Sequence, residues 1–108
     1  MTQPEKKTRR EMLEQFIAAH PNDAFARYGL AMEYANQGAA ETALSEFARL
    51  LQANPDYTAA YQMSAQTLMK AGREAEARKM LQDGIACATR TRNQHALSEM
   101  QALLDELR

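Results

Sequence analysis

The chain has 108 residues, a length that fits one domain, and a formal net charge of −1 that leaves no electrostatic footprint for nucleic acid. Apolar residues make up 45% and charged residues 25%, ordinary values for a soluble globular chain large enough to build a core without metal or disulfide. Cys87 is the only cysteine, so no intramolecular disulfide can form, and its setting in GIACAT reads as a buried, inert thiol.

The N-terminal stretch MTQPEKKTRREMLEQF has basic residues with no apolar run behind them. It does not read as a secretory signal, and no segment approaches the length of a membrane span; the expectation is a cytoplasmic protein with no membrane partner. Lys6, Lys7, Arg9 and Arg10 are followed by Glu11 and Glu14, which suggests a solvated face rather than an anion site. Helical spacing predicts a first helix over residues 5–19, with Met12, Leu13, Phe16 and Ile17 as its buried stripe. It runs into HPND, a helix-ending turn.

Residues 22–55 read as two helices. Arg27, Leu30, Ala31, Tyr34 and Gly38 share a helical face, and Gly38 stops the helix because glycine takes the left-handed conformation past a helix end. A second stripe follows at Ala40, Ala43, Leu44, Phe47, Leu50 and Leu51, and Pro55 ends it by excluding helical backbone at the residue before it. Residues 56–90 repeat the plan. Tyr61, Ser64, Ala65 and Leu68 lead to Gly72, and then come Ala77, Met80, Leu81, Gly84, Ile85 and Ala88. Asn22 and Asp56 are the expected N-caps of the two leading helices. Glu74 and Arg78 lie four apart, in the order that supports a helix weakly. Residues 92–108 form a last helix. Ala96, Leu97, Met100, Leu103, Leu104 and Leu107 lie on one face, with Gln94, Ser98, Glu99, Gln101, Asp105 and Glu106 opposite, as a polar cap requires. Strand alternation appears nowhere, and the short loops force neighbouring helices to run antiparallel.

A period of 34 residues underlies this order: it separates Gly38 from Gly72, Ala43 from Ala77, Ala31 from Ala65, Ala26 from Ala60 and Pro21 from Pro55. Phe47/Leu81, Leu51/Ile85 and Tyr34/Leu68 share it with apolar exchanges.

Leu30, Ala31, Tyr34, Gly38, Ala43, Phe47 and Pro55, followed by Ala65, Gly72, Ala77 and Leu81, resemble the consensus of the tetratricopeptide repeat (TPR) family. The resemblance implies an all-α, right-handed helical solenoid of about six antiparallel helices, two full repeats between capping helices. It implies close crossings of Ala31 with Ala43 and of Ala65 with Ala77. Gly84 fits the family's small-residue preference and Leu50, its counterpart, departs from it. The family's aromatic near the start of the first helix is present as Tyr61 and replaced by Arg27 in the other repeat. Thr89 stands where a Pro would close the second repeat, so the last connection should be atypical.

Family members are usually interaction scaffolds whose first helices line a concave groove. Opposite the paired face, α-helical spacing places Phe25, Tyr28, Met32 and Asn36 in one repeat. In the other it places Ala59, Gln62, Met63, Gln66 and Lys70, with Met69 at the edge. Flexible methionines beside aromatics suit an adaptable surface, and the expected partner is an apolar or amphipathic protein segment. The family's carboxylate-clamp subclass uses cations and Asn at positions held here by Phe25, Gly29, Ala59 and Met63, so that ligand is not expected. Self-association as a homo-oligomer is the alternative. His20 and His95 lack metal-ligand neighbours, and no nucleophile–base pair or phosphate loop can be named; neither catalysis nor a cofactor is expected.

Overall fold

A computed structural model describes residues 8–107. They form α1 (Arg9–Ala19), α2 (Ala24–Asn36), α3 (Ala40–Ala53), α4 (Thr58–Lys70), α5 (Glu74–Arg90) and α6 (Gln94–Glu106), with no strand among the described residues. Each helix packs on the next, α4 also meets α2 and α6, and among the described elements α1 touches only α2. The molecule measures 58 × 28 × 20 Å, a row of helices stacked along its long axis.

Two helix ends repeat one hydrogen-bond pattern. Gly38, at φ 79°, donates to the Ala35 carbonyl while Ala39 donates to Tyr34. Gly72, at φ 75°, donates to Met69 while Arg73 donates to Leu68. Both are Schellman closures, which need a left-handed residue just past the helix. The third closure uses Arg92, at φ 57°, donating to Thr89 while Asn93 donates to Ala88. Without a proline at Thr89, α5 runs on to Arg90, 17 residues against 14 for α3. A side chain then has to occupy the left-handed position.

The predicted caps shift. Asp23 rather than Asn22 caps α2, its Oδ1 accepting from the Ala26 amide at 2.8 Å. Asp56 does not cap α4; Tyr57 holds that position without a side-chain hydrogen bond. Asp56 instead accepts from Arg90 at 2.5 Å, a contact one helix away that local sequence does not encode. Residues 5–7 of the predicted first helix lie outside the described residues, and Thr8 caps α1 through the Glu11 amide. Arg78 turns from Glu74 to donate to the Leu107 carbonyl at 2.8 Å, tying α5 to the end of α6.

Ala31, Ala43, Ala65 and Ala77 are fully buried, as close helix crossings need, and Phe47, Leu50, Leu81 and Met100 fill the space between helices. Gly84 is required by packing: a Cβ there would lie 2.7 Å from the Tyr61 Cβ and would overlap the Met100 sulfur of α6. Cys87 is fully buried, with its sulfur 3.4 Å from the Thr58 hydroxyl. One expectation fails in α1. Ile17 is buried, but Met12 is 53% and Phe16 44% exposed. Burying the whole stripe takes helices on two sides of α1, and among the described residues it has one.

Candidate functional site

Two of the cavities that α2 lines hold predicted groove residues. The first, of about 370 Å³, runs between α2 and α4 and is lined by Met32, Ala35 and Asn36 on one wall and Met63, Gln66, Thr67 and Lys70 on the other. Gly38 and Ala40 close one end, beside Ala71. The second, of about 490 Å³, lies between α1 and α2 and is bordered by Leu13, Phe16, Phe25, Tyr28 and Gly29. Met32 lines both.

The predicted groove residues therefore divide. Met32, Asn36, Met63, Gln66 and Lys70 come together in the α2/α4 cavity. Met32, Met63 and Gln66 are half-buried, and Asn36 and Lys70 are exposed near its end. Phe25 stands apart at the α1/α2 cavity with 79% of its surface exposed. Tyr28 is a wall: its ring lies 5.4 Å from Tyr57 and 6.1 Å from Phe47, and burial pushes its phenol above the ordinary value. Gln62 is engaged with the last helix, donating to Glu99 at 2.7 Å, while His95 lies 2.7 Å from the other Glu99 oxygen. Met69 is half-buried and lines neither cavity.

Thr67, Ala35 and Ala40 belong to the groove and were not foreseen. Helical steps of three and four from Met32 and Met63 do reach Ala35 and Thr67, but their small size hides them beside larger neighbours. The Thr67 hydroxyl donates to the Met63 carbonyl at 2.8 Å, so it presents mainly its methyl group. The wall joins Met32, Ala35 and Met63 to the amide of Gln66, and Lys70 is the one cation lining the cavity among the described residues. Such a surface can bury apolar side chains and orient a segment by one charge. Among the described residues no group of three or more His, Cys, Asp or Glu could hold a metal ion. No described helix is long and apolar enough to cross a membrane.

A family model described as tetratricopeptide repeat matches residues 34–104, and another of the same description matches residues 3–59. The chain belongs to the tetratricopeptide-repeat family. A TPR repeat-containing protein of Pseudomonas aeruginosa is 31% identical over 97 residues, which cover 90% of this chain and 92% of that protein. Among solved structures, a Bordetella parapertussis protein studied in solution aligns with a TM-score of 0.84 at 27% identity, over 94% of this chain and 89% of that one. A TPR domain protein of Salinibacter ruber aligns with a TM-score of 0.76 at 31% identity, over 81% and 88% of the two chains. The fold is thus the all-α TPR solenoid, and TPR repeats generally mediate contacts between proteins. In TPR terms α2/α3 and α4/α5 are the paired helices of two repeats.

Proposed function

We propose that this TPR chain is a non-catalytic binding module that takes an apolar or amphipathic segment of another protein along the groove between α2 and α4. One observation carries the reading: Met32 and Met63, on two different helices, line the same open cavity. Methionine is unbranched and adaptable, so the pair can mould to aliphatic or aromatic side chains. Lys70 and Asn36 give the groove a polar end, which fits a segment with an acidic or carbonyl-rich terminus. A helix laid in the groove would place anchors at spacings of three and four residues. The small footprint points to micromolar affinity, about −8 kcal/mol.

The test is a selection from a displayed random-peptide library, run in parallel on the wild type and on Met32→Asp/Met63→Asp, with circular dichroism to verify the variant's helices. Enrichment of amphipathic sequences by the wild type, lost in the folded variant, supports the groove. Equal enrichment by both proteins would overturn it.

A further inference from the structure

The two ends of the solenoid differ. On α6 the face away from the protein is polar, with Gln94, Ser98, Gln101 and Glu106 exposed. The large apolar residues left exposed among the described residues are Met12, Phe16 and Phe25, all at the other end. The period identifies the equivalent positions in the interior. Leu13 and Phe16 stand 34 residues before Phe47 and Leu50. Those later residues are 1% and 0% exposed, because α3 is flanked by α2 and α4. In contrast Leu13 is half-buried and Phe16 is 44% exposed.

We propose that this α1/α2 end is a self-association surface that closes two copies of the chain into a twofold dimer. An isologous interface must be self-complementary, and this face carries both halves of each contact. Phe25 is a protruding knob, and the cavity of about 490 Å³ beside it, floored by Leu13, Ala26 and Gly29, is a hole. The rim supplies one charge of each sign, Arg9 and Asp23. A twofold axis can set Arg9 of one copy, which reaches Glu33 of its own chain at 2.8 Å, near Asp23 of the other. The polar α6 end stops further stacking, so association ends at two rather than running into a filament. An end face of 28 × 20 Å limits burial to about 560 Å² per copy, the lower edge for a specific interface, so the dimer is weak.

Sedimentation equilibrium of the full chain, up to about 500 µM because a weak dimer forms in the micromolar range, is the experiment. The wild type is expected to pass from monomer to dimer and to go no further. Phe25→Asp, at an exposed site that leaves the core intact, should weaken the dimer at least tenfold. Arg9→Glu should weaken it severalfold. In a second measurement Met12→Cys, exposed at the same end and leaving Phe25 in place, is treated with a short bis-maleimide; the buried Cys87 should not contribute. A covalent dimer well above the level of a Gln101→Cys control on α6 supports the twofold contact. A wild type that stays monomeric throughout overturns the proposal. So does a dimer that Phe25→Asp leaves unchanged, or equal crosslinking by the two cysteine variants.

Discussion

Arg27 in α2 and Tyr61 in α4 occupy the same place in the two repeats, and each donates to the carbonyl of the preceding proline. Arg27 reaches Pro21 at 3.3 Å and Tyr61 reaches Pro55 at 2.7 Å. Around this shared contact the repeats diverge. In repeat two the Tyr61 Cβ sits against Gly84, which also admits Met100 from α6. In repeat one the position of Gly84 is Leu50, fully buried, and Glu46 receives the Arg27 guanidinium at 3.2 Å where repeat two has Met80. Leu30 fills the core of repeat one, while its counterpart Ser64 is buried with a hydroxyl that has no partner among the described residues. The lesson is that departures from the repeat pattern come in sets. An arginine in the aromatic position needs a carboxylate for its charge, and a bulky neighbour replaces the gap that a ring and a sixth helix would use.

Exchanging the set members one at a time should break the comparison most severely. Leu50→Gly removes a buried side chain and weakens the helix, and should cost about 4 kcal/mol in urea unfolding. The reciprocal Gly84→Leu should cost about 3 kcal/mol by overpacking against Tyr61 and Met100, and a Met100→Ala background should recover part of that loss. Arg27→Ala leaves Glu46 mostly buried with the longer 3.9 Å contact to Arg49, with an expected loss of about 2 kcal/mol. Restoring balance with Glu46→Gln in the same chain should reduce the loss in a double-mutant cycle.

The helix closures sharpen the comparison at smaller scale. Gly72→Ala forces a Cβ into the left-handed region and should cost about 1 kcal/mol, whereas Arg92→Gly should stabilise by somewhat less than about 1 kcal/mol. Opposite signs in thermal unfolding would establish that the two turns share a backbone and differ only in the residue bearing it. Ser64→Ala should raise stability by about 1 kcal/mol, since it removes a buried hydroxyl without a partner; a loss would mean that the hydroxyl has a partner after all.

The weakest expected effect is on pH. Burial holds the phenols of Tyr28, Tyr34, Tyr57 and Tyr61 above their ordinary value of 10.0. The folded state therefore favours the neutral phenols. That contribution is complete below pH 10 and is lost as pH rises through the folded values. Melting temperature followed across this range should fall only on the alkaline side, alongside the appearance of phenolate absorbance. Tyr28→Phe should shift the onset upward, because it removes one of the phenols from the titration.

Much of the architecture was legible in the chain itself. The 34-residue period, the two glycines that end α2 and α4, the proline that ends α3 and the alternation of apolar stripes are local signals, and each acts through backbone geometry within a few residues. They determine the helices and their order, while the close crossings expected at Ala31, Ala43, Ala65 and Ala77, all fully buried, came from the family resemblance. The tertiary structure decided what depends on having a neighbour. Met12 and Phe16 have the same apolar character as buried residues, and they are exposed because α1 packs against one helix. Asp56 is as good a cap by type as Asp23, yet it pairs with Arg90 across a helix–helix contact. Phe25, Tyr28 and Met32 share one predicted face, but only the packing of Tyr57 and Phe47 makes Tyr28 a wall. Local backbone preferences act along the chain and can be read there; burial is a property of pairs of elements and exists only once they are stacked.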